Sequence, residues 1–354
     1  MGTRVSNTFS IVRTCASTSF PFSSTCHTIA ALHRWMQMNV LKGSINDPEI
    51  GARDSLPCSC GVSEDEETSY DSQEILEESD LNRIIGGTPV PSQRKYPWMA
   101  WMTDGAGFCG GALINDRYVL TASHCVFQNS SGKYNVTLGN LDVFNTSNPE
   151  AIKISATAIM HPEFKNVTSG NDVALLKLDT PLNFTDHPHI CPICISTDVN
   201  PNPGTKVTIA GWGRISGGGP MSGKLREATV YVISQEACQD NFHMVNISEN
   251  VICTQSGGKN VCNGDSGSSL MYQTPAGYYI SAGITSFGRE GCSPEYGAVF
   301  TRTANYLRDF VKSNTEDAVW CRPPSGAQSL RSSKYFHFHL FWFLASLLVL
   351  SSWK

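Results

Sequence analysis

The residues able to do covalent chemistry fall in four short segments. Gly264-Asp265-Ser266-Gly267 places a hydroxyl in a glycine-flanked turn. Glycines let the backbone approach a carbonyl closely, and adjacent backbone N–H groups can converge on a developing oxyanion. Thr121-Ala122-Ser123-His124-Cys125 sets a histidine after an apolar run and beside a cysteine. Asn171-Asp172-Val173-Ala174-Leu175-Leu176 leads a carboxylate straight into another apolar run. Arg83-Ile84-Ile85-Gly86-Gly87 puts one basic residue where an acidic stretch meets a globular composition. Singly, each has a plainer reading: a tight surface turn, a structural histidine, a solvated carboxylate. Jointly they offer a hydroxyl, an imidazole and a carboxylate. A serine hydroxyl is a poor nucleophile at neutral pH and needs a base within hydrogen-bond reach.

Such groups are useful only on a scaffold that holds them. The chain has 354 residues, 40% hydrophobic and 16% charged, with a net charge of −5. That length permits a real core. The small net charge argues against a disordered chain, and the missing basic surplus argues against a nucleic-acid binder. From Ile84 to about Ser313, short β-branched runs such as Tyr118-Val119-Leu120, Val207-Thr208-Ile209 and Val230-Tyr231-Val232-Ile233 alternate with turn residues. This spacing predicts an all-β domain. One amphipathic helix is predicted over Ala304–Val311, where Leu307, Phe310 and Val311 share a face.

The flanks differ. Residues 1–57 are read as a leader outside the mature protein, since 1–46 are rich in Ser and Thr and carry basic residues but no acid before Asp47. Residues 58–83 are read as an acidic propeptide, with Glu64 to Glu67 and Glu74 to Asp80 crowded into a solvated linker. After residue 321, Ser325-Gly326-Ala327 and a polar spacer precede the apolar run Tyr335–Leu350. As a helix that run reaches about 24 Å, short of a hydrocarbon core of about 30 Å. Small residues, spacer and apolar tail fit a glycolipid-anchor signal. Thirteen cysteines favour an oxidising compartment, hence a secreted or extracellular protein, attached to the membrane if the anchor is made.

Further motifs join the four segments: Lys95-Tyr96-Pro97-Trp98, Phe108-Cys109-Gly110-Gly111, His161-Pro162, Gly211-Trp212-Gly213 and Ser286-Phe287-Gly288. With these, the region from about Cys58 to Cys321 resembles a zymogen of the chymotrypsin/trypsin-like serine proteases. The resemblance implies two six-stranded Greek-key β-barrels packed together, about 84–194 and 195–313, with a C-terminal α-helix. It implies Ser266 as nucleophile, His124 as general base then acid, and Asp172 as the group that orients the imidazole. It implies an oxyanion hole from the N–H groups of Gly264 and Ser266. Cleavage after Arg83 would free an Ile84 amine to pair with Asp265. Protein and peptide substrates, an upstream activating protease and protease inhibitors are the implied partners, and no cofactor is implied. No metal is expected, because Gly139-Asn140 lacks the acid of calcium-binding members.

The same resemblance assigns the specificity pocket to Asn260, Ser286, Gly288 and Ala298. Asn260 stands where trypsin-like members have an acid, which argues against preference for Arg or Lys. Ala298 in place of glycine would narrow the slot. Ser268 and Ser269 replace the family's Gly and Pro. These departures raise an alternative: a catalytically impaired homologue acting as a binding or regulatory protein. By resemblance Cys109 pairs with Cys125, Cys238 with Cys253, Cys262 with Cys292 and Cys60 with Cys194. Cys58, Cys191 and Cys321 compete for one further bridge, with Cys58–Cys321 and Cys58–Cys191 both open. Six N-glycosylation sequons stand at Asn129, Asn135, Asn145, Asn166, Asn183 and Asn246.

Overall fold

The computed structural model describes residues 58–64 and 84–324, apart from Ser131. The leader, most of the acidic segment, Arg83 and the apolar tail lie outside the described residues.

Strands β2 (Met99–Thr103), β3 (Phe108–Leu113), β4 (Tyr118–Thr121), β5 (Lys133–Leu138), β6 (Ile152–Met160) and β7 (Ala174–Leu178) form a closed antiparallel barrel in the order β2-β3-β4-β7-β6-β5. The second barrel is built from β8 (Lys206–Gly211), β9 (Arg226–Val232), β10 (Val251–Gln255), β11 (Ser269–Gln273), β12 (Tyr279–Gly288) and β13 (Ala298–Arg302). Its order is β9-β10-β13-β12-β11-β8, and β8 pairs back onto β9 to close it. Closure leaves few unpaired strand edges, which an exposed sheet would have to protect in other ways. Alternation is clearest in β5, where Tyr134, Val136 and Leu138 point inward. Strand β12 is buried along nearly its whole length, consistent with a strand covered on both faces.

The expected division at 84–194 has one exception. A short strand, β1 (Thr88–Pro89), pairs with β9, and Ile84 packs among Val207, Ile209 and Val230. Residues 84–89 therefore belong to the second barrel, because Ile84 finds its apolar partners there. The helical end begins with α2 (Thr303–Tyr306), after the earlier α1 (Gln235–Asn241), and continues as a π turn (Leu307–Val311) and a 3₁₀ turn (Lys312–Asn314). Leu307, Phe310 and Val311 are buried in one cluster with residues of the first barrel, so the last helical segment among the described residues clasps back onto that barrel.

Disulfides join Cys109 to Cys125, Cys238 to Cys253, Cys262 to Cys292 and Cys60 to Cys194. The fifth joins Cys58 to Cys321 and leaves Cys191 as a thiol. Strand-like pairing supports this choice. Ser59 bridges Arg322, the Cys60 N–H donates to the Arg322 carbonyl at 2.9 Å, and the Gly61 N–H donates to the Pro192 carbonyl at 2.8 Å. The Cys191 Sγ donates instead to the Ser59 carbonyl at 3.0 Å. Burial pushes its thiol up to about 11, which disfavours the reactive thiolate. A non-reducing digest should accordingly release a Cys58–Cys321 peptide pair, and Cys191 should resist alkylation at pH 8 until the protein is unfolded. Recovery of a Cys58–Cys191 pair would contradict this arrangement.

Candidate active site

His124 lies on a 3₁₀ turn (Ser123–Cys125) directly after β4. The disulfide from Cys125 to Cys109 on β3 ties that turn to its barrel, and loops of this size contribute about 3 kcal/mol. The Ser123 hydroxyl donates to the Val173 carbonyl at 2.7 Å, so the His124 turn is also fastened to the segment carrying Asp172.

Asp172 is 1% exposed, and a buried carboxylate is costly unless its oxygens are satisfied. Three donors meet it. The His124 N–H donates to Oδ1 at 2.9 Å, while His124 Nδ1 lies 2.8 Å from Oδ2. The Ser286 hydroxyl donates to Oδ2 at 2.5 Å. The backbone is held too: Thr301 Oγ1 donates to the Asp172 carbonyl at 2.9 Å, and Tyr306 Oη donates to Asn171 Oδ1 at 3.0 Å. Asn171 takes a positive φ of 56°, a conformation asparagine tolerates better than most residues. Ser286, expected only as a pocket residue, thus also grips the acid. Thr301 and Tyr306 have no motif that marks them in the sequence.

Ser266 sits in the turn before β11, and its carbonyl accepts the Gly110 N–H at 2.8 Å, coupling the turn to β3 beside Cys109. Gly264 has φ +100°, and a Cβ there would come within 2.4 Å of the Phe108 ring, so only glycine fits. Among the described residues no protein acceptor takes the N–H groups of Gly264 and Ser266, which leaves both free to meet an oxyanion. His124 Nε2 lies 3.8 Å from Cys125 Sγ, and among the described residues no hydrogen bond joins it to Ser266 Oγ.

The serines that replace Gly and Pro do not break this turn. The positive φ that demands glycine is at Gly267, and Ser268 is not in the left-handed region. Ser268 Oγ is buried against Gly110, where any Cβ would lie 1.9 Å from it, and it has no hydrogen-bond partner. Ser269 donates to or accepts from the Ser281 hydroxyl at 2.8 Å.

Asp265 is fully buried. Its carboxylate accepts N–H groups from Gly213 and Cys262, each at 2.8 Å. Burial nevertheless pushes its pKa up to about 6, only partly offset by those two donors. Gly211 and Gly213 leave the room it needs, since a Cβ on either would come within 2.1 and 2.5 Å of the carboxylate.

A cavity of about 330 Å³ opens beside Ser266, walled by Val261, Asn263, Phe287 and Gly288. Ser286 and Gly288 of the expected pocket line it, whereas Asn260 and Ala298 do not and are 2% and 0% exposed. The Asn260 amide donates to the carbonyls of Ser293 and Gly297 at 3.1 Å and of Cys292 at 3.3 Å, and its Oδ1 accepts the Val261 N–H at 3.0 Å. Its backbone N–H donates to the Ile85 carbonyl at 3.2 Å. The Asn260 side chain therefore staples the Cys292–Gly297 segment and presents no free polar group. The one group of three metal-type ligands among the described residues is Cys109, His124 and Cys125, and its two sulfurs are bonded to each other, so neither can be a thiolate ligand.

Comparison with known proteins agrees with this architecture. The family model Trypsin matches residues 84–310. The chain is 34% identical over 242 residues to serine protease filzig of Drosophila melanogaster, covering 63% of this chain and 14% of that protein. It is 35% identical over 247 residues to the proclotting enzyme of Tachypleus tridentatus, covering 64% of each. It is 32% identical over 250 residues to the venom protease of Bombus pensylvanicus, covering 64% of this chain and 98% of the relative. The chain thus spans less than two thirds of the length of the first two. The match across both barrels places the chain in the trypsin family of serine endopeptidases.

Proposed function

We propose that this chain is a secreted endopeptidase, made as a zymogen, activated by cleavage after Arg83 and selective for an uncharged residue before the scissile bond. The observation that carries the catalytic part is the buried Asp172 holding His124 through Nδ1, with Ser266 beside two free N–H donors. In the family's mechanism the Ser266 oxygen attacks the scissile carbonyl carbon as His124 takes its proton. Asp172 stabilises the resulting imidazolium. The N–H groups of Gly264 and Ser266 receive the oxyanion, a contribution of about 3–4 kcal/mol per donor. Collapse expels the amine with the proton from His124. Water, activated by the same base, then releases the acyl group.

Two features support activation by cleavage. Ile84 is 1% exposed and carries φ +32°, an unfavourable value for a β-branched residue whose N-terminal peptide bond is intact. Asp265 is buried with two backbone donors. A new Ile84 ammonium would supply the countercharge that a buried carboxylate otherwise lacks. The neutral Asn260 floor supports selectivity for an uncharged residue. The cut site itself follows an arginine, so the activator would be a different protease with an acidic pocket.

Four outcomes are expected. A fluorophosphonate probe should label the protein after cleavage at Arg83 but label neither the uncut chain nor a Ser266→Ala variant; equal labelling of cut protein and variant would reject the catalytic reading. Ser286→Ala, which removes a hydrogen bond to a charged group worth about 1.5–3 kcal/mol, should lower kcat by about 10–100-fold with KM little changed. Asn260→Asp should raise turnover after Arg or Lys relative to apolar residues, while lowering unfolding stability by about 1–3 kcal/mol because three carbonyls lose their donor. Finally, Asp265 has a folded pKa above its unfolded value, so the folded state holds the extra proton between about pH 4 and 6. Stability of the uncut chain should fall by about 3 kcal/mol as pH rises through that window, relative to Asp265→Asn. Urea titrations at several pH values would show it, and parallel profiles for the two proteins would exclude it.

A further inference from the structure

A second cavity of about 590 Å³ adjoins the one beside Ser266, sharing Val167 and the Phe287–Glu290 segment with it. On one side it is walled by the turn at Val167 and Thr168, on the other by the loop at Phe242, Met244 and Val245. Together the two cavities form a continuous cleft. Each of its walls is immediately followed or preceded by a sequon asparagine: Asn166 before Val167, and Asn246 after Val245. None of the other four sequon asparagines is adjacent in sequence to a residue lining either cavity.

Both asparagines are exposed and stand on fixed backbone. Asn166 caps the 3₁₀ turn Val167–Ser169 through Oδ1, which accepts the N–H groups of Thr168 at 3.1 Å and Ser169 at 2.9 Å. Its Nδ2, the atom that carries an N-linked glycan, donates to no protein acceptor among the described residues. Modification at Nδ2 therefore leaves the cap intact. The Asn246 loop is held from α1 by Gln239, whose Nε2 donates to the Val245 carbonyl at 2.8 Å and whose Oε1 accepts the Ile247 N–H at 3.0 Å. At the tip of this loop Met244 is 87% exposed, an apolar side chain that the protein leaves uncovered.

We infer that N-linked glycans on Asn166 and Asn246 flank the substrate cleft and filter what enters it, admitting extended flexible peptide segments and excluding folded protein surfaces. This rests on the endopeptidase reading and names its substrate class. Attachment forms a bond from Nδ2 to the sugar C1, breaks the C1–O bond of a lipid-linked glycosyl diphosphate, and passes the amide proton to the departing diphosphate. A bulky, hydrated chain on each rim costs an unstructured peptide little. A folded ligand must displace both chains before its surface can close on the cleft.

The test uses the full chain secreted from a glycosylating eukaryotic host and cleaved after Arg83, beside an Asn166→Asp/Asn246→Asp variant that keeps a capping oxygen at 166. Peptide mapping by mass spectrometry should find both asparagines occupied. Turnover of a short peptide substrate should differ by less than about twofold between the two proteins. Association of a small disulfide-rich protein inhibitor that inserts a loop into the cleft should be at least about tenfold faster for the variant. An unoccupied site at either asparagine, or equal inhibitor association, overturns the proposal. Absence of peptide turnover in both proteins would instead sink the endopeptidase reading, and occupancy and inhibitor binding would still be readable.

Discussion

Burying one carboxylate between two barrels is the constraint on which this molecule turns. Asp172 stands two residues before β7 of the first barrel, yet it is satisfied only when the second barrel brings Ser286 from β12 to its oxygen and Thr301 from β13 to its carbonyl. The terminal helix adds Tyr306 one residue upstream. A charged group in this position cannot tolerate a loose interface, because each lost donor leaves part of the charge unpaired in a poorly solvated place. The interface between the barrels and the orientation of His124 are therefore two aspects of one electrostatic requirement.

A second buried carboxylate, Asp265, organises the turn that carries Ser266, and it is the less satisfied of the two. Its neighbours are glycines cut away to admit it and two backbone N–H groups. Asn260 links this region to the 84–87 segment, since its backbone holds Ile85 while its side chain holds the Cys292–Gly297 segment. One residue thus holds the 84–87 segment through its backbone and the Cys292–Gly297 segment through its side chain.

Much of this was legible from residue order alone. An all-β domain announces itself through short β-branched runs between turns, its division into two barrels through the family resemblance, and the helix through Leu307, Phe310 and Val311. His124, Asp172 and Ser266 stand out because they occur with other motifs. What stayed hidden depends on groups far apart in sequence. Nothing in Ser286-Phe287-Gly288 says that the serine hydroxyl turns toward an acid 114 residues away. The side chain at Ser268 looks disruptive until Gly110, on another barrel, is seen to make room for it. The choice among Cys58, Cys191 and Cys321 was likewise open, because it follows from the pairing of Ser59 with Arg322 rather than from spacing.

That pairing also brings the two ends of the described domain together. With Cys58 and Cys321 bonded, their Cα atoms are 5.0 Å apart. The described chain therefore passes residues 58 and 321 at a single point of the domain. Cys60–Cys194 and Cys58–Cys321 both span the Ile84 junction, so a cut there would leave the upstream segment covalently attached. A tether on either extension would then set the domain's orientation on a surface in the same way. After such a cut an upstream tether would let go only on reduction of both bonds or a second cut, whereas a downstream one is continuous with the domain and reduction would not free it.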